Sequence, residues 1–98
     1  MKSSELAQLT VVGSVVGVDW EDSCTFDGWH DEHMGDPYHT MVCRTWGEIV
    51  HNDSSHISVA GSVNTEGQRC QVMVIPKSAV TAVTVVVKAR DGMIMNEV

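Results

Sequence analysis

The stretch Cys70-Gln71-Val72-Met73-Val74-Ile75-Pro76-Lys77-Ser78-Ala79-Val80-Thr81-Ala82-Val83-Thr84-Val85-Val86-Val87 decides the fold class. β-Branched residues dominate it, and such side chains suit a pleated strand better than a helix. Pro76 interrupts the run; it lacks a backbone N–H and cannot donate to a ladder. Pro76-Lys77-Ser78 is therefore a tight turn or a single 3₁₀ turn between two strands, Cys70–Ile75 and Val80–Val87. Neither strand contains a charged residue before Lys88, so a free edge on either one would have nothing to blunt its pairing with another chain.

Upstream the pattern stays β. Asn64-Thr65-Glu66-Gly67 makes a hairpin turn, preceded by a third strand from His56 to about Val63 with Ile57 and Val59 inward. Asn52-Asp53-Ser54-Ser55 is a turn by composition, because Asn and Asp bond their own backbone and tolerate left-handed geometry. The second strand covers about Thr40 to His51, with Gly47 as a point of strong curvature. A first strand over 11–22 places Val16, Val18 and Trp20 on one face and Gly17, Asp19 and Glu21 on the other, with Gly13 and Gly17 as sites of bending or bulging. Ser3 to Leu9 is read as a short helix capped by Ser3 or Ser4. These elements describe an all-β fold, a small five-stranded, strongly bent, closed barrel with a short N-terminal helix, in which Val16, Val18, Ile57, Val59 and Val83 are buried.

Ninety-eight residues make one domain, 1–98, with a core at 10–87, a long acidic loop at 23–39 and a tail at 89–98. Hydrophobic residues at 43% and charged residues at 19% are a globular balance, and no apolar run is long enough to span a bilayer. The N-terminal residues do not read as a secretory signal, which gives a cytoplasmic expectation, in a bacterial host cell given the phage resemblance below. Cys24, Cys43 and Cys70 lack a Cys-x-x-Cys pair and are expected as buried reduced thiols. The net charge of −7 is uneven: no Lys or Arg lies between Lys2 and Arg44, whereas Asp19, Glu21, Asp22, Asp27, Asp31, Glu32 and Asp36 do. That distribution excludes a broad basic footprint for nucleic acid.

Ile75-Pro76-Lys77-Ser78-Ala79-Val80-Thr81-Ala82-Val83 resembles the end of the second motif of Sm-like proteins, among them the host-factor RNA chaperones. In those chaperones a Lys-His pair occupies the last turn; Lys77 matches the lysine, and Ser78 stands in place of the histidine. Over roughly residues 10 to 87 the chain is also similar to short phage and prophage proteins, through Trp20-Glu21-Asp22, Gly28-Trp29, Thr45-Trp46-Gly47 and Ile75-Pro76-Lys77. The resemblance implies an Sm-like or SH3-like barrel that assembles into a homo-oligomeric ring. It also implies a ligand corner at Asn52, Asp53 and Lys77. Sm-like barrels join their first two strands by a short turn, so the loop at 23–39 departs from that pattern.

That loop carries Trp29-His30-Asp31-Glu32-His33-Met34-Gly35-Asp36-Pro37-Tyr38-His39. Loops of this length inside compact domains tend to be functional or disordered. His30, His33 and His39, with Cys24 or Cys43, are the residues that could ligate a divalent metal. A Cys-His nucleophile pair is disfavoured, because no orienting group or oxyanion site is legible. Against the metal reading, Phe26, Trp29 and Tyr38 could simply fold back over the barrel, leaving the acids and imidazoles in water. Trp29, Tyr38 and Trp46 are the candidate contacts for a small-molecule or RNA ligand, Trp46 by stacking. Read from sequence, the protein is a non-enzymatic, oligomeric binding module without a cofactor; RNA binding and metal binding are the alternatives.

Overall fold

A computed structural model of the chain describes residues 2–23, 25, 29 and 38–89. The seven-residue helix α1, Ser3–Leu9, leads through a turn at Val12-Gly13 into β1, Val15–Asp22. Then follow β2, Met41–Asn52; β3, His56–Val63; β4, Arg69–Pro76; a 3₁₀ turn, Lys77–Ala79; and β5, Val80–Val87. The all-β expectation holds, and the strand ends fall within a residue or two of those read from sequence, except at the start of β1. Gly13 adopts φ 95°, a conformation that side-chain-bearing residues rarely take, so residues 11–14 form a turn instead of extending the strand. The N-cap of α1 also differs from expectation: the position falls to Lys2, with no side-chain cap hydrogen bond.

One antiparallel sheet runs in the order β4-β3-β2-β1-β5. β2 serves two partners in succession. Its N-terminal part, Met41 to Glu48, pairs with β1, and its C-terminal part, Glu48 to Asn52, pairs with β3. The sheet folds over where the two sets meet, and Gly47 makes that fold sterically allowable. A Cβ built there would lie 2.2 Å from the Ala60 carbonyl oxygen and 2.9 Å from Val59 Cγ1. Beyond Ala60, β3 pairs with β4 alone, as far as Val63↔Arg69. The five strands thus form the small, strongly bent all-β fold expected from sequence, and among the described residues no ladder joins β4 to β5. The 3₁₀ turn carries the chain from one end of the sheet to the other, leaving β4 and β5 as its two edges.

The bend wraps one apolar face around a core of Leu6, Val16, Val18, Ile49, Ile57, Val59, Ile75 and Val80, with Trp20, Val83 and Val85 packed against it. Val83 is half-buried, against the expectation of full burial, because it lies on an edge strand with no neighbour on its far side. Burial of Leu6 fastens α1 to this core. Polar bonds fix the crossing from helix to sheet. Thr10 Oγ1 donates to the Leu6 carbonyl at 2.6 Å, Gly13 N to Ile49 O at 2.8 Å, and Ile49 N to Ser14 O at 2.8 Å. Ser14 Oγ accepts the Ala89 N–H at 3.0 Å, which holds the chain just beyond β5.

Replacing Gly47 by alanine is expected to destabilise the fold by roughly 3 kcal/mol or more, since the atoms it meets are backbone and cannot swing away. Gly17 is a useful contrast: its added Cβ would meet the ring of Trp46 at 2.5 Å, a side chain able to rotate. Urea denaturation of both alanine variants checks the ranking; a Gly47→Ala loss equal to or smaller than that of Gly17→Ala would contradict it.

Candidate functional site

The turn between β2 and β3 is built around one carboxylate. Asp53 Oδ1 accepts the Ser55 N–H at 2.8 Å and the His56 N–H at 2.6 Å, an Asx-type turn that closes the hairpin without a glycine. Asp53 Oδ2 lies 3.2 Å from His51 Nε2, and His56 Nδ1 lies 3.7 Å from Oδ1. The backbone N–H donors of Ser55 and His56 hold the Asp53 carboxyl down at about 2, with a smaller contribution from His51. Across from this turn, Lys77 N donates to Ser55 O at 2.8 Å and locks the 3₁₀ turn against it. Asp53, His51, His56 and Lys77 thus share one polar corner. Among the described residues, the Lys77 side chain forms no ion pair.

Asn52 sits at the same corner but turns inward. Its Nδ2 donates to Thr10 O at 2.9 Å and to Thr10 Oγ1 at 2.8 Å, so its amide nitrogen ties the corner to the end of α1. Of the three residues implied by the Sm-like resemblance, the structure brings Asp53 and Lys77 together at the surface and gives Asn52 a structural task. His51 and His56 were not singled out from sequence. Their signal is the spacing His51-x-Asp53-x-x-His56 across a turn, which places one imidazole on each side of the carboxylate.

Trp46 stands elsewhere, on the outer face of β2 opposite Gly17 of β1. Its ring lies over the bare Gly17, and the Arg44 guanidinium approaches to 5.8 Å from the ring centroid. Arg44 is held in turn by Asp19, through Nε to Oδ1 and through Nη2 to Oδ2 at 2.9 Å. The hydrogen bond from Arg44 lowers the Asp19 carboxyl from its usual range and raises the guanidinium from its own. The ring thus rests on Gly17 with Arg44 beside it, while Trp46 remains 51% exposed.

The remaining candidates fall in or beside the loop. Trp29 is fully exposed and Tyr38 is exposed, which corrects the alternative of burial over the barrel for both. His30 and His33, like Cys24 and Phe26, lie outside the described residues. His39 Nδ1 is 3.1 Å from the Thr40 carbonyl oxygen. Among the described residues, no group of three or more His, Cys, Asp or Glu side chains is arranged to hold a metal ion. Cys43 is half-buried and Cys70 is exposed, so Cys70 departs from the expectation of a buried thiol. No helix among the described residues is long and apolar enough to cross a membrane.

One further polar residue had no signal in the sequence. Glu48 is 13% exposed at the sheet bend, its Oε2 lacks a hydrogen-bond partner, and Arg69 Nη2 approaches it only to 3.9 Å. A shallow depression at the tip of the β3–β4 hairpin, lined by Ser62, Val63, Asn64, Gln68, Arg69 and Cys70, lies beside that pair and away from the corner. Comparison of the chain with protein-family models, with curated proteins and with solved structures gives no match in any of the three.

Because the Asp53 carboxyl titrates lower in the fold than its usual 3.8, the ionised form favours the folded state. Its stabilising effect is complete above about pH 5 and disappears as pH falls through about 2. An Asp53→Ala variant should therefore melt below the parent protein at neutral pH, with the gap closing as the medium is acidified. A gap that stays constant down to about pH 2 would show that the charge of Asp53 plays no part in holding the turn.

Proposed function

We propose that the chain is a non-enzymatic, self-associating β module of the Sm-like type, acting by binding and not by catalysis. One observation carries the reading: the two edges of the sheet, β4 and β5, are eight-residue strands that contain only one charged residue between them, Arg69 at the start of β4. Exposed Val72, Met73 and Val74 on one edge and Val86 and Val87 on the other add apolar side chains to unpaired backbone groups. Such edges in a monomer invite pairing with a further chain. Because they lie at opposite ends of the sheet, β4 of one subunit can meet β5 of the next, a head-to-tail contact that closes into a ring where the rotation permits. The Sm-like resemblance implies the same edges.

A second reading, RNA held at the polar corner, is favoured by the seating of Lys77 against Ser55 beside Asp53. A phosphate would be met there by the Lys77 ammonium, within a chain whose overall charge is −7. Contact would thus be confined to one local cation per subunit, and affinity would depend on repetition around an assembly.

Light scattering at micromolar concentration should return a mass several times the 10.7 kDa of one chain. A monomer mass would end the self-association reading. For the second reading, binding to RNA homopolymers should weaken steeply between low and moderate salt and be lost in Lys77→Ala, because a phosphate contact releases counterions. Binding that ignores salt or survives the substitution would exclude Lys77 as a phosphate contact.

A further inference from the structure

The outer face of the β1–β2 pair carries an arrangement that neither the polar corner nor the sheet edges use. Gly17 of β1 lies between Trp46 of β2 and Thr84 of β5, and two residues along, Asp19 lies between Arg44 and Ala82. Residues directly opposite one another in a sheet share a face, as do residues two apart along a strand. These residues therefore form two adjacent rows on one surface. In the first row the indole leans across β1: a Cβ added at Gly17 would meet Cζ3, Cε3 and Cη2 of Trp46 at 2.5, 2.7 and 2.7 Å. Contact with three carbons of the six-membered ring seats it on the β1 backbone, and Gly17 is buried beneath it. Trp46 is nonetheless exposed, so the part of the ring away from Gly17 meets solvent.

The second row supplies polar groups beside this platform. Arg44 holds Asp19 by two hydrogen bonds, which use two of the five guanidinium N–H groups and leave donors over. Each Asp19 oxygen takes one of those bonds and keeps a further lone pair. The Arg44 side chain is 57% exposed. Beyond Asp19, Ala82 is too small to cover the pair, and exposed Thr84 on the far side of Gly17 adds a hydroxyl. Donors and acceptors thus flank one open aromatic surface, all of them on strands whose backbones the ladders fix.

Charge narrows the ligand. A phosphate or carboxylate would approach a chain of net charge −7 beside Asp19 and Glu21, the latter on the same face opposite Val42. A cation would meet the Arg44 guanidinium, which already stands 5.8 Å from the ring centroid. The Arg44–Asp19 pair is neutral as a unit and asks for no counter-charge. What fits is an uncharged ring with an apolar face to lay on the indole and hydroxyl groups around its rim. We propose that this face is a saccharide site, in which one pyranose ring of a neutral oligosaccharide stacks its C–H face on Trp46 and exchanges hydrogen bonds with Arg44, Asp19 and Thr84. A nucleobase would also stack, but within a polynucleotide it would bring phosphates against Asp19 and Glu21. The inference rests on the reading of the chain as a binding module and not on self-association, so a monomer mass would leave it standing.

The test titrates the full chain with cellohexaose, chitohexaose and maltohexaose, and separately with adenosine. The readout is the Trp46 indole N–H resonance by NMR, assigned from its absence in Trp46→Phe. At least one of the three oligosaccharides should shift that resonance in a saturable manner, and the affinity should hold from low to high salt, because no net charge is neutralised. Trp46→Ala should weaken the binding by about tenfold or more, the contribution of one stacked ring. Gly17→Ala keeps the indole but fills its seat, and it should weaken the binding as well. Circular dichroism shows whether each variant keeps its β structure, and Arg44→Ala gives a further readout where either misfolds. No saturable shift with any of the three oligosaccharides overturns the proposal. A response to adenosine alone overturns it too, since the ring would then be a base platform. Oligosaccharide binding that survives Trp46→Ala undiminished would place the site elsewhere and have the same consequence.

Discussion

The bare Cα of Gly47 is the constraint on which the architecture rests. At that residue the backbone of β3 crosses so near to β2 that the Ala60 carbonyl occupies the space a side chain would need. The crossing lets one twelve-residue strand pair with β1 along one half and with β3 along the other, the two sets sharing only Glu48. A flat continuation of the same pairing would have left Val16 and Val18 on one surface and Ile57 and Val59 too far away to cover them. Folding the sheet at Gly47 brings both pairs, with Ile49 and Ile75, into one fully buried cluster. The same fold carries the outer part of the β3–β4 hairpin away from the core, which is why Val63, Val72 and Val74 are exposed although the strand pattern around them resembles that of the interior.

A second layer of order is polar and holds what the apolar face alone would leave loose. A seven-residue helix without a side-chain cap is marginal by itself. α1 persists because Leu6 is buried and because Thr10 and Asn52 connect its end to the β2–β3 corner. Since Asn52 and Asp53 are adjacent, the residue that anchors the helix and the residue that shapes the exposed turn share one backbone segment. Any contact that reshapes the turn therefore acts on the seat of α1 as well.

The strand ends other than the start of β1, the 3₁₀ corner and four of the five named core residues were legible because each depends on local chemistry: period-two alternation, a proline without a donor, an Asn-Asp-Ser-Ser turn. What escaped depends on distant neighbours. Val83 alternates like a core residue, yet its burial is limited by the absence of a strand beyond β5. Cys70 alternates within a strand that has left the core, and the sequence marks no point of departure. At the candidate site, Asp53 and Lys77 were legible as neighbours only through the Sm-like resemblance. The inward turn of Asn52 was not, because it depends on Thr10, forty-two residues away. The seat of Trp46 was not legible either, because its neighbours, Gly17 and Arg44, are side by side with it only through the β1–β2 register.

The distribution of charge and the edges bear on each other. Most of the acidic residues precede Arg44, whereas both edge strands lie in the last thirty residues, where Arg69, Lys77, Lys88 and Arg90 are offset only by Asp91 and Glu97. In the fold, however, β5 pairs directly with β1, whose Asp19, Glu21 and Asp22 are acidic, whereas β4 is backed by β3, whose eight residues carry no carboxylate. The net charge of −7 therefore bears unequally on the two open edges, and negative charge approaching the β5 side meets the β1 carboxylates one strand away.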